Sequence, residues 1–185
     1  MPSNKIFVLK SLAAVVVAIV TLPAFAGNGP FESVSFEAGV GEEVQVVRIG
    51  AQSQWEKQWV KSNGTHLSGY CDVSASVWRG TAYRNIQGRH QDIAVVGFTP
   101  VFRYQNDSKQ GWYAEAGVGL NLLSERYDNN DDRLSTHFQF GDHIGAGHVS
   151  GKWDLGVKLQ HFSNGGYKSP NSGVNFIVLK AARSF

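Results

Sequence analysis

The chain has 185 residues, 42% of them hydrophobic and 17% charged, with 21 Gly and a single Cys. One Cys excludes an intramolecular disulfide and a cysteine-based zinc site, and a formal charge of +2 is far too small to mark a nucleic-acid binder. No apolar run after residue 30 is long enough to cross a bilayer as a helix, which leaves a soluble β domain and a membrane barrel both standing.

The first element in chain order is a segment for export. Lys5 and Lys10 precede the apolar stretch Leu12 to Leu22, and Ala24-Phe25-Ala26 follows it. That is a basic n-region, a short h-region and an A-x-A cleavage signal. The apolar run is about eleven residues, nearer a signal h-region than the ~20 that a spanning helix needs. Residues 1–26 are therefore expected to be a signal peptide, and 27–185 the working domain. Cleavage removes two Lys and no acid, leaving 15 basic residues against 15 acidic ones. The basic excess belongs wholly to the signal.

Beyond Gly27 the dominant period is two, the signature of strands with one apolar and one polar face. Val34, Phe36, Ala38 and Val40 alternate with Ser33, Ser35, Glu37 and Gly39. Leu67, Gly69, Cys71, Val73, Ala75 and Val77 alternate with Ser68, Tyr70, Asp72, Ser74, Ser76 and Trp78. Trp112 to Leu122 and Trp153 to Leu159 repeat the pattern, and further strands are expected near 43–54, 89–105, 134–149 and 174–185. Gly, Asn, Asp and Ser clusters separate them at 63–64, 106–108, 127–132 and 163–173, which is turn and loop chemistry. The expected fold is all-β, an eight-stranded antiparallel up-and-down barrel.

Such a meander fits a lipocalin-like soluble barrel or a transmembrane β-barrel, and the two differ in which face is apolar. Alternation alone does not decide. The chain ends on Phe185, and its last strand resembles those of bacterial outer-membrane barrels, which commonly close on an aromatic residue recognised by the assembly machinery. Ile177, Leu179, Ala181 and Phe185 would then face lipid, with Arg183 snorkelling near the end. Trp55, Trp59, Trp112 and Trp153 suit aromatic girdles.

One strand carries chemistry. The apolar parity Trp153, Leu155, Val157, Leu159 runs directly into His161 and Ser163, and residues two apart on a strand share a face. A His and a Ser side by side supply a general base and a nucleophile, although an arbitrary H-x-S is commonly an interfacial His beside a turn-entering Ser. With a periplasmic N-terminus, odd strands run outward and this seventh strand ends at the external leaflet. The following Asn164-Gly165-Gly166 offers amides and a side chain for an oxyanion. A hairpin folded about residue 168 sets His161 opposite Asn175, where a group that orients the base belongs.

At these residues the chain resembles a known family. His161-Phe162-Ser163-Asn164, followed by Lys168-Ser169-Pro170-Asn171-Ser172-Gly173-Val174, looks like the C-terminal signature of the PagL-type lipid A 3-O-deacylases. Leu67 to Tyr70, Pro100 to Phe102, Glu115 to Gly119 and Phe140 to Gly145 are similar as well, so the likeness spans most of the mature chain. The resemblance implies an outer-membrane enzyme with a lipid-facing serine-esterase site that removes the acyl chain at position 3 of lipid A. By resemblance Ser163 is the nucleophile, His161 the general base and Asn164 an oxyanion contributor.

The family's third position, an acid, falls on Asn175. An amide can accept from the imidazole and orient it but offers no charge to an imidazolium, and in the serine-protease template the acid-to-amide change costs roughly 10⁴ in turnover. Asp142, at outward parity on the sixth strand, is a substitute carboxylate, although a strand-end Asp bonded to backbone is its plainer reading. Two functions therefore stand: a lipid A 3-O-deacylase, and a catalytically weak or silent barrel that binds lipopolysaccharide. The expected partners are lipid A, the outer membrane and the barrel-assembly machinery, with a homodimer left open. No cofactor, metal or nucleic acid is expected. His137 and His143 stand ~20 Å apart along one strand, too far to share an ion, and the acidic 128–132 loop reads as solvated.

Overall fold

The computed structural model describes residues 29–185, so the expected signal peptide at 1–26 lies outside them. Eight long strands form the wall: β1 (Ser33–Gly41), β2 (Val44–Gln54), β3 (Thr65–Gly80), β4 (Gln91–Asn106), β5 (Gly111–Leu123), β6 (Phe138–Ser150), β7 (Trp153–Ser163) and β8 (Val174–Ser184). Each pairs antiparallel with its chain neighbour, and β8 returns to β1 in the register Val34↔Arg183 to Val40↔Ile177, which closes the barrel. After residues 55–58, the segment Trp59–Ser62 rejoins β3 and extends the β2–β3 hairpin. Asn63 and Gly64 turn that hairpin with φ of 50° and 78°, as a two-residue Asn-Gly turn requires.

The direction of the side chains settles which kind of barrel this is. Ile144 is 62% exposed and Glu37 only 2%, and the same contrast repeats around the wall. Ile49, Val73, Val96, Val118, Leu155, Leu159, Ile177 and Leu179 all point outward and stay exposed. A lipocalin-like barrel hides such residues, whereas a membrane barrel shows them to lipid. Rings gather at the end opposite the long loops: Trp55 against Trp59 and Phe102, Trp112 against His148, and Arg183 over Trp153. That is an aromatic and cationic girdle at one interface.

The lumen is filled, as in other small barrels, but it is not polar throughout as the alternation suggests. Its half toward the girdle holds four cations, Arg48, Arg103, Lys158 and Lys180, among four carboxylates, Glu37, Asp72, Glu115 and Asp154. Lys158 Nζ meets Glu37 at 2.7 Å, and Arg103 bridges Glu115 at 2.7 Å and Asp154 at 2.9 Å. The half toward the long loops is apolar: Trp78, Phe162 and Phe176 pack edge to face, with Ile93, Val95, Leu123 and Val178 around them. The loop 124–137 folds over this end. Tyr127 and Leu134 enter the core, and Asn129 is fully buried, accepting from the Ala82 N–H and donating to the Glu43 carbonyl. The 127–132 segment thus lies over the barrel end with Tyr127 and Asn129 turned inward, while Asp131 stays exposed and Asp128 and Asp132 half-buried.

Candidate active site

On β7 the lumen side carries Asp154, Lys158 and Phe162, while Trp153, Leu155, Val157 and Leu159 face out. His161 and Ser163 continue the outward series at the loop end of the wall and are half-buried. Cross-strand pairing sets each of them in a row. His161 lies between Asp142 on β6 and Asn175 on β8, with Val118 of β5 beyond Asp142. Ser163 lies opposite Phe140 of β6, with Leu120 of β5 next.

The imidazole is held. His161 Nδ1 donates to Asn175 Oδ1 at 2.7 Å, and with the proton on Nδ1 the Nε2 lone pair is left for a base. Gly173 covers the ring from the next turn. Its φ is +81°, and a Cβ there would come within 2.5 Å of His161 Cε1. Ser163 Oγ accepts from the Gly165 N–H at 3.4 Å, so the serine is turned toward an amide donor in the free protein. Among the described residues no hydrogen bond joins Ser163 to the imidazole.

The turn after Ser163 is tight for a local reason. Gly165 and Gly166 both adopt positive φ, 68° and 79°, which bends the chain back at once. Asn164 then points inward and is buried. Its Nδ2 donates to Ser135 Oγ at 3.2 Å and to the Lys168 carbonyl at 2.6 Å, while Oδ1 accepts from the Gly166 N–H at 3.0 Å. Its backbone N–H goes to Asn171 Oδ1. The Asn164 side chain, expected from the sequence to contribute to an oxyanion site, thus has both amide hydrogens occupied in bracing the loop, and the donor beside Ser163 is the backbone of Gly165.

His137, His143 and His148 do not converge. His137 Nδ1 is bonded to the Leu123 carbonyl, His143 faces the lumen near Glu115, and His148 packs edge to face on Trp112. Cys71 receives the Trp55 indole N–H at 3.3 Å.

A groove of about 1040 Å³ runs around the outer wall toward this site. Its two ridges are outward rungs one step apart on successive strands, from Val34 and Phe36 through Ile49 and Ala51, Val73 and Ala75, Val96 and Phe98, to Leu120 and Leu122. It ends at Phe138, whose ring packs edge to face on Phe140 at 5.1 Å. Phe140 in turn stands opposite Ser163, and a Cβ added at Gly165 would come within 3.2 Å of its ring. Periodicity marks each of these residues as outward but carries no sign that their rungs align into one track.

Comparison with known proteins finds related sequences and a related fold. The family model described as "Lipid A 3-O-deacylase (PagL)" matches residues 45–184. The protein named lipid A deacylase PagL of Pseudomonas aeruginosa is 32% identical over 142 residues, 75% of this chain and 78% of that one. Its namesake in Bordetella bronchiseptica is 31% identical over 155 residues, 82% of this chain and 83% of that one. The crystal structure of the outer membrane enzyme PagL aligns with a TM-score of 0.70 at 28% identity, covering 83% of this chain and 99% of that one.

Proposed function

The chain belongs to the lipid A 3-O-deacylase (PagL) family, and from that premise we propose that it hydrolyses the ester-linked 3-position acyl chain of lipid A in the bacterial outer membrane. The observation that carries the reading is a nucleophile and an oriented base placed on the lipid-facing side of the wall. His161 Nε2 takes the Ser163 proton while Oγ attacks the ester carbonyl, and the carbonyl π pair moves onto oxygen. The Gly165 N–H faces that oxygen, and Asn164 serves the site by holding the turn. Collapse breaks the bond to the sugar oxygen, which leaves with the proton from His161. Water, activated by the same imidazole, then releases the fatty acid from Ser163.

The groove gives the acyl chain its course. An apolar chain whose carbonyl sits at Ser163 can cross Phe140 and Phe138 and lie between the rungs of β5, β4 and β3, apolar against apolar. Residues 1–26, read as a signal peptide, suit export, and the barrel-assembly machinery is a further proposed partner.

The test is release of 3-hydroxy fatty acid, measured by mass spectrometry of lipid A from cells expressing the protein. Ser163→Ala should abolish release while the barrel still assembles. Unaltered lipid A in cells making the unmodified protein would sink the reading. One observation favours a second reading, a silent barrel that binds lipopolysaccharide: the group bonded to His161 is a neutral amide. Full-length lipid A from the unmodified protein together with retained lipopolysaccharide binding would support it.

A further inference from the structure

Proton transfer from Ser163 leaves a positive charge on His161, and in a serine hydrolase a carboxylate bonded to the base stabilises that charge. Asn175 fixes the ring here but brings no charge. The surroundings of the imidazole can be taken element by element. From β8 comes Asn175, from the preceding turn Gly173, from its own strand Leu159 and Ser163, and from β6 Asp142. In that set Asp142 is the one carboxylate.

Its placement is informative. Asp142 and His161 are direct cross-strand partners, and both carry the outward parity, so their Cβ atoms are close neighbours on one face. Asp142 is exposed and makes no hydrogen bond or ion pair among the described residues, while Val118 and Ile144 beside it are apolar and face lipid. An ionisable residue turned toward lipid is costly unless it serves something nearby. The polar groups of this row are Asp142, His161 and Asn175, with the base in the middle.

Resting on the deacylase reading, we propose that Asp142 supplies the counter-charge for His161, so that the acid's two tasks are divided: Asn175 orients the ring and Asp142 stabilises the imidazolium. Asp142 touches no reacting atom and acts through His161, as a positioning residue. It gives up and takes no proton. While Nε2 holds the proton from Ser163, the row carries one positive and one negative charge. When Nε2 passes that proton to the sugar oxygen, the imidazole is neutral again and Asp142 is unchanged.

The experiment is steady-state deacylation of lipid A in mixed micelles by the purified barrel. Asp142→Asn should lower kcat about 10- to 100-fold with KM within about twofold, the pattern of an interaction made only as charge develops. Asp142→Ser should behave alike, and Asp142→Glu should keep most of the turnover. In the Asp142→Asn background, Asn175→Glu should restore kcat, because it returns a charge to the ring from the other side. Full kcat in Asp142→Asn, or a loss that Asn175→Glu does not rescue, overturns this proposal while the deacylase reading survives. An unmodified protein as silent as Ser163→Ala overturns both.

Discussion

His161 Nδ1 and Asn175 Oδ1 lie 2.7 Å apart across β7 and β8, in a bond that fixes the imidazole but leaves it without a bonded anion. The bond separates two effects that an acid would combine. Asn175→Leu removes the acceptor and frees the ring, so turnover should fall about 100-fold without loss of the barrel. Asn175→Glu adds a charge and should raise turnover about 10-fold, well short of the ~10⁴ of the protease template because Asp142 already provides part of it. Fatty-acid release at saturating substrate reads both. An unchanged Asn175→Leu would mean that the bond has no part in the chemistry.

Gly173 tests how closely the ring is held. Its positive φ and the 2.5 Å approach of a built Cβ to His161 Cε1 leave no room for a methyl group. Gly173→Ala should displace the imidazole and reduce kcat more than 10-fold, a barrier change of at least ~1.4 kcal/mol. Circular dichroism should still report a folded barrel. Full activity in this variant would show that the base is more mobile than its packing implies.

The lumen network predicts an effect on stability. Lys180 lies between Glu115 and Asp154, at 3.5 and 3.2 Å. Lys180→Met leaves two buried carboxylates sharing Arg103, and removing one partner of a buried ion pair typically costs ~3–5 kcal/mol. Urea unfolding from lipid vesicles should shift by an amount of that order. A cost below ~1 kcal/mol would indicate that water already reaches these groups.

Chain-length selectivity tests the groove. From Ser163 to Ala75 the path crosses four strand spacings, about 19 Å at ~4.8 Å each, slightly more than the ~15 Å depth of one hydrocarbon leaflet. Ala75→Phe should block the far part of that path and lower turnover of long acyl chains several-fold more than that of short ones. Parallel assays on lipid A species of different acyl length measure the ratio. Equal losses for both would place the acyl chain elsewhere.

Much of this was legible in the residues. Strict alternation gave the strands and their outward stripe because side chains change face at every step of a strand. It also carried His161 and Ser163 to the outer face, and hairpin counting set Asn175 opposite His161. What escaped depends on contacts across the barrel. Trp78 reads as a member of a polar face, because its own strand says nothing of Phe162 and Phe176, the aromatic partners it meets in the lumen. Tyr127 and Asn129 read as loop chemistry, since composition cannot tell a solvated turn from one folded back over a core. The direction of Asn164 is decided by Ser135 and Lys168, neither of which its own sequence neighbourhood identifies.

With Ser163 as the proposed nucleophile, its outward direction sets the dimensionality of the reaction. A reactive group on the inside of a wall waits for molecules from solution, but one on the outside meets only what diffuses sideways within the same leaflet. The quantity that governs rate is then the number of target lipids per unit of membrane area. Diluting the leaflet with inert lipid should slow the protein at fixed total substrate, and adding bulk water should not. The released fatty acid and the shortened lipid also begin in that leaflet, where they compete with fresh substrate for the same groove.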